Sequence, residues 1–142
     1  MKNVYVLDAS VALKAQLAEA GSEQARKLVA DFLNGEIELI APSTILVEIG
    51  HALTRAERRG IIPVGDSERL YKGFLRTSPR IIDFSQLLFR AITLSSETRI
   101  GVYDCLYVAL EEREECELMT ADERLVNTMA GKFDRIVVLE QK

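Results

Sequence analysis

Apolar residues along this chain fall alternately into short dense runs and longer stretches at helical spacing. Residues 4–7, 37–40, 80–82, 117–119 and 136–139 are short β-rich runs, which predict strands. The intervals between them predict helices over 11–17, 24–33, 43–60, 63–76, 85–94, 102–110 and 122–130. Asn34-Gly35 reads as the cap that closes the second helix, and Pro42-Ser43 as the signal that starts the third. In that third helix Ile45, Leu46, Ile49, Ala52, Leu53 and Ala56 recur at helical spacing and stop at Gly60. Val102, Cys105, Leu106, Ala109 and Leu110 follow the amphipathic rule, and Glu111 to Glu117 reads as a solvated charge run. Strands alternating with helices predict an α/β fold, a three-layer α/β/α sandwich around a mostly parallel sheet of four to five strands. Residues 1–142 form one domain, with no repeat or linker.

Composition narrows the function classes. Acidic side chains number 22 against 18 basic ones, for a net charge of −4, which argues against a broad cationic nucleic-acid face. The longest charge-free stretch, residues 39–47, contains Pro42 and is far shorter than the ~20 apolar residues of a membrane span. The first apolar run meets Asp8 too soon to be the core of a signal peptide, so a cytoplasmic chain is expected. Cys105 and Cys116 lack metal or redox spacing and are expected to be reduced, buried and structural.

Ligands of open α/β sheets gather at the carboxyl ends of the strands. Asp8 ends the first predicted strand and Asp122 follows the fourth; Asp104 and Glu48 lie early in helices, on the same expected rim. Asp8, Asp104 and Asp122 each also fit a helix-start role. Glu48 fits one less well, because it lies about 60° from Ile45 and about 40° from Ala52 on the helical wheel, at the shoulder of the buried stripe. A carboxylate there needs a partner. Only Lys14, Arg99 and Arg124 are nearby cations, so metal is the better account, and oxygen ligands without His/Cys spacing select Mg²⁺ or Mn²⁺ over zinc. His51 is either a substrate contact or, more simply, a half-buried helix residue.

The segments around these acids resemble a known family. Val6-Leu-Asp8-Ala-Ser10, Pro42 with Glu48-Ile-Gly-His-Ala-Leu53, Tyr103-Asp104-Cys-Leu-Tyr-Val-Ala-Leu110 and Thr120-Ala-Asp122-Glu-Arg-Leu125 are together similar to the PIN-domain family, and within it to the VapC-type toxins of prokaryotic toxin–antitoxin pairs. The last two motifs, whose aspartates stand 18 positions apart, are the specific ones. The resemblance implies that Asp8, Glu48, Asp104 and Asp122 form an acidic site for one or two Mg²⁺ or Mn²⁺ ions, supported by the hydroxyls of Ser10 and Thr120. Two departures bear on substrate choice: His51 stands where an asparagine is frequent, and Ala15 and Gln16 stand where a bulky aromatic is often found.

The expected activity is a metal-dependent endoribonuclease, the toxin of a toxin–antitoxin pair, acting on structured RNA loops. Water attacks instead of the ribose 2′-hydroxyl, which predicts 5′-phosphate and 3′-hydroxyl products. Mutual repulsion of the acids predicts raised carboxyl pKa values without metal, and weaker metal binding at acid pH. Arg55, Arg58 and Arg59 are the densest basic group and the candidate RNA contacts, against the simpler reading of a solvated helix face. Family membership further implies a homodimer and a small VapB-like antitoxin. Leu28, Val29, Leu70 and Phe74 are candidate interface positions unless they are ordinary core. A catalytically weak PIN-like RNA-binding or scaffold module is the alternative function. A phosphoryl-receiver domain is excluded, because Asp8-Ala-Ser10 supplies neither its acidic pair nor an Asp-x-Asp motif.

Overall fold

Parallel strands need long crossovers between them, and this chain spends its helices on such connections. The computed structural model describes residues 2–139. Its strands are β1 (Asn3–Leu7), β2 (Ile37–Pro42), β3 (Arg80–Ile82), β4 (Glu117–Thr120) and β5 (Ile136–Val138). All pair in parallel, in the order β3-β2-β1-β4-β5. The crossovers carry α1 (Ala9–Lys14), α2 (Ser22–Leu33), α3 (Ile45–Arg58), α4 (Asp66–Arg76), α5 (Leu88–Thr98), α6 (Val102–Glu114) and α7 (Glu123–Met129).

From β1 the chain steps outward twice, to β2 and β3, then reverses and builds β4 and β5 on the other side. Right-handed crossovers put helices on opposite faces when the direction reverses. The packing follows: α1 contacts α2 and α3, α3 contacts α4, and α5 pairs with α6. The three-layer sandwich and all five predicted strands are therefore observed. Between them lies a core in which Val6, Leu39, Ile40, Ile45, Ile49, Leu53, Leu106 and Leu118 are fully buried.

Several boundaries shift, each for a local reason. Helix α1 starts at Ala9, directly after Asp8, and ends at Lys14, so residues 15–17 are turn instead of helix. Helix α4 starts at Asp66, after Gly65 has taken a left-handed turn at φ +91° that Pro63 and Val64 lead into. The stretch 85–94 divides into a short 3₁₀ turn, Phe84–Gln86, and α5, because the Asp83 carboxylate accepts from the Ser85 amide and stops the chain there. Gly35 takes φ +78° beyond α2, as the Asn34-Gly35 pair predicts.

Helix α6 is the largest correction. It runs on to Glu114, and Cys105 through Glu111 are all buried, so it is an enclosed helix and not a one-sided amphipathic one. Glu111 is only 2% exposed and belongs to the interior, not to a solvated charge run. Val29 and Phe74 are likewise core, whereas Leu28 and Leu70 are half-buried against it. Both cysteines are free thiols; Cys105 is buried and Cys116 half-buried.

Candidate active site

The reversal of strand order leaves a switch point at the carboxyl ends of β1 and β4, where the crevice of such a sheet opens. Asp8 leaves β1 there, its amide donating to the Met119 carbonyl of β4 at 3.0 Å. Asp8 is 6% exposed, and its carboxylate makes no cap on α1. Instead Ser10 Oγ and Thr120 Oγ1 each donate to Asp8 Oδ2, both at 2.7 Å. Each hydroxyl is fixed in turn by a backbone amide, Ala121 N donating to Ser10 Oγ at 3.0 Å and Asp122 N to Thr120 Oγ1 at 3.1 Å. Both hydroxyl protons are thus committed to one oxygen of Asp8, across the β1–β4 junction.

Asp122 is the N-cap of α7. Its Oδ1 accepts from the amides of Arg124 at 3.0 Å and Leu125 at 3.3 Å. The helix-start reading therefore holds for this acid, and capping fixes its carboxylate toward the rim. Asp104 lies half-buried in the first turn of α6. Glu48, in the first turn of α3, has the partner its position demands: Tyr107 Oη donates to Glu48 Oε1 at 3.0 Å.

Burial is the first cause that raises the carboxyls, ahead of mutual repulsion. Asp8 is pushed up by desolvation, held back by the two hydroxyls, and raised further by the charge of Asp122. Glu48 rises to about 7 through burial, with Tyr107 opposing and the charges of Asp8 and Asp104 adding. Asp104 rises to about 6 through burial and the charges of Asp8 and Asp122, against the pull of Arg124. These cross-effects link the acids electrostatically into one group.

The donor set fits a hard cation. It consists of carboxylate and hydroxyl oxygens, and no amine intrudes, because Lys14 Nζ turns away to Glu19 Oε1 at 3.4 Å and the Ala20 carbonyl at 2.8 Å. The Thr44 hydroxyl, one turn before Glu48, adds a further oxygen next to that carboxylate and helps hold its pKa down. Among the described residues no three acidic, His or Cys side chains form a ready-made cage. Mg²⁺ needs none, since it keeps several waters and binds through one or two carboxylates.

The basic residues sort differently. Arg55, Arg58 and Arg59 are exposed, seven to eleven residues beyond Glu48 on α3. At 1.5 Å per residue they stand about 10–16 Å further along the helix axis. His51 is exposed and lines an apolar groove between α3 and α4, with Leu46, Val47 and Tyr71. A cavity of about 320 Å³ instead opens beside Asp104 and Asp122 and is lined also by Arg99 and Arg124. Tyr107 is the site residue that sequence reasoning gave no role. Its signal was available, since it stands three positions after Asp104 on the same helix face and a buried tyrosine requires a partner.

The PIN domain family matches residues 5–130. The chain belongs to the PIN-domain family, and its relatives there include VapC ribonucleases. It is 32% identical over 125 residues to VapC ribonuclease Mb0985 of Mycobacterium bovis, covering 88% of this chain and 91% of that protein. Among solved structures it is similar to PAE2754 from Pyrobaculum aerophilum, with TM-score 0.71 and 18% identity over 98% of this chain and 92% of that one. It is also similar to a chain of a toxin–antitoxin complex from Klebsiella pneumoniae, with TM-score 0.65 and 16% identity over 97% and 99% of the two chains.

Proposed function

We propose that this protein is an endoribonuclease dependent on Mg²⁺ or Mn²⁺, the toxin of a toxin–antitoxin pair, that hydrolyses RNA phosphodiester bonds with water as the attacking group. The observation that carries the reading is the convergence of Asp8, Glu48, Asp104 and Asp122 on one rim with their charges coupled. The ribonuclease names of its relatives support the substrate class. One or two divalent ions held by these four acids would supply an activated water and neutralise charge developing on the phosphate.

The chain's own side chains set up that chemistry. Ser10 and Thr120 orient Asp8, Tyr107 restrains Glu48, and the amides of Arg124 and Leu125 restrain Asp122. Three of the four acids are restrained before a cation or RNA arrives, as preorganised electrostatic catalysis requires. None of these groups is a nucleophile toward phosphorus. The scaffold alternative lacks support, since it would require loss of one of the acids. The reading includes a VapB-like antitoxin, supported by the toxin–antitoxin complexes among the structural neighbours. It also includes a homodimeric toxin working in the cytoplasm; among the described residues no helix is long and apolar enough to cross a membrane.

The test is cleavage of total cellular RNA by the purified chain with Mg²⁺, with EDTA, and as Asp8→Asn or Asp104→Asn, followed by end mapping. Cleavage dependent on the ion and on both acids, leaving 5′-phosphate and 3′-hydroxyl ends, is expected. A 2′,3′-cyclic phosphate product, or full activity in either variant, overturns the reading.

A further inference from the structure

A chain of net charge −4 whose site is built from four carboxylates repels the polyanion it is proposed to cut. Some cationic feature next to the acids must hold the strand. The arginines of α3 lie at the far end of their helix from Glu48, and Lys14 is engaged with Glu19 and Ala20. Arg99 and Arg124 remain, and both line the 320 Å³ cavity whose other walls include Asp104 and Asp122.

We propose that this cavity, between the α5–α6 connection and α7, seats the phosphodiester backbone of the RNA strand next to the bond being cut, with Arg99 and Arg124 as the guanidiniums that hold it. The proposal rests on the nuclease reading for its substrate and adds where and by which groups that substrate is held. The two arginines come from unrelated segments. Among the described residues neither side chain makes an ion pair or a hydrogen bond, so both guanidiniums keep their donors for a ligand in the cavity they line. Two planar donors line one void, Arg124 close enough to the Asp104 carboxyl to draw its pKa down, and such donors match the oxygens of a phosphate.

The backbone around Arg99 is built for a fixed presentation. Arg99 sits in the left-handed region, φ +66° and ψ +11°, a conformation costly for a residue with a Cβ. It is held there on both sides: Thr98 Oγ1 donates to the Leu94 carbonyl at 2.7 Å, and Ser95 Oγ to the Ile100 carbonyl at 2.6 Å. The remaining lining, Thr98 and Thr128 among it, offers hydroxyls and short apolar side chains but no aromatic ring. Without a stacking platform the cavity reads backbone, not base identity. Its volume lies at the low end of ligand pockets, roughly 300–1,000 Å³, which suits a nucleotide's phosphate and ribose.

The experiment is fluorescence anisotropy of a labelled single-stranded RNA oligonucleotide binding the full chain in EDTA, across a salt series. The variants are Arg99→Gly, Arg124→Gln and, as a charge control, the exposed Arg26→Ala on α2. Arg99→Gly removes the guanidinium at a backbone position glycine adopts freely, so lost binding is not lost fold. Arg99→Gly and Arg124→Gln are each expected to weaken binding about fivefold or more and to lower the log–log salt slope by about 0.7. Single-stranded DNA of the same sequence should lose the same affinity, because the contacts are to phosphate. With Mg²⁺, the same variants should raise KM more than they lower kcat.

Unchanged affinity and salt slope in both variants overturns the proposal, as does an equal loss in Arg26→Ala or a wild-type chain that binds no RNA. Loss on RNA without loss on DNA overturns the phosphate assignment. Wild-type chain that binds through these arginines yet leaves RNA intact with Mg²⁺ would sink the nuclease reading and keep the seat. Chain that cuts RNA equally well without them would do the reverse.

Discussion

Tyr107 and Glu48, 59 positions apart, are joined by a 3.0 Å hydrogen bond that ties α6 to α3 across the rim of the sheet. The phenol is fully buried and has no solvent to replace that acceptor. Tyr107→Phe keeps the ring and removes one donor to a carboxylate, a bond worth roughly 1.5–3 kcal/mol. We expect kcat on RNA to fall about tenfold or more with KM little changed. Because Tyr107 holds the Glu48 pKa down, the acid limb of the pH–rate profile should also move to higher pH. An unmoved profile with full kcat would show that the bond is packing alone.

The two hydroxyls on Asp8 should not contribute equally. Thr120 is fully buried while Ser10 is partly exposed, so water can replace the donor in Ser10→Ala but not in Thr120→Val. Thr120→Val leaves Asp8 Oδ2 and the Asp122 amide each short of a partner. Its stability loss is expected at about 1–3 kcal/mol in urea unfolding, against less than about 1 kcal/mol for Ser10→Ala. The reverse order would contradict this account of the junction.

Without metal, the raised carboxyls work against folding as pH rises. A carboxyl whose folded pKa exceeds its unfolded value binds its proton more tightly in the folded chain, so stability falls as pH climbs from the lower value to the higher. For Glu48 that window runs from 4.5 to about 7, and for Asp104 from 3.8 to about 6. The EDTA-treated protein should therefore melt at lower temperature at pH 8 than at pH 5. Mg²⁺ should restore most of the difference at pH 8 and little at pH 5, since the protons it must displace are then in place. Calorimetric Mg²⁺ affinity that is flat across this range would contradict the site.

Glu111 provides a separate handle far from RNA chemistry. It is 2% exposed, its Oε1 has no hydrogen-bond partner among the described residues, and burial pushes its pKa to about 7 in spite of Arg135. Glu111→Gln removes the charge and keeps the shape. It should raise Tm at pH 8 by several degrees, a gain of roughly 1–3 kcal/mol, and change it little at pH 5, where the native carboxyl already carries its proton. A loss of stability at pH 8 would mean that Arg135 outweighs the cost of burial.

The strands and the acids were legible because their signals are local. A short apolar run, with an aspartate at its end or two residues beyond, is visible within a few positions, and β1 with Asp8 and β4 with Asp122 are read that way. What escaped depends on the third dimension. The enclosure of α6 comes from packing against α5 and the sheet together, so Glu111 looks like the first residue of a surface run until both neighbours are placed. The Arg55, Arg58 and Arg59 group stood out because it is dense in sequence; Arg99 and Arg124, 25 positions apart, read only as cations near the acids, and that they line one cavity shows only when α7 folds beside the α5–α6 connection. Tyr107 lay inside a recognised motif, and its partner could not be read without knowing that α3 and α6 approach the same rim.

The parallel order β3-β2-β1-β4-β5 also dictates when the site can exist during synthesis. Asp8 emerges from the ribosome early, but its hydroxyl partner Thr120 lies 112 positions later and its neighbour Asp122 later still. Strand β4 must insert beside β1 before either arrives. A nascent chain, surrounded by the RNA of the machine making it, therefore carries separated carboxyls and no assembled rim. The four carboxyls can share one rim only after β4 has taken its place beside β1, so a partial chain lacks the site.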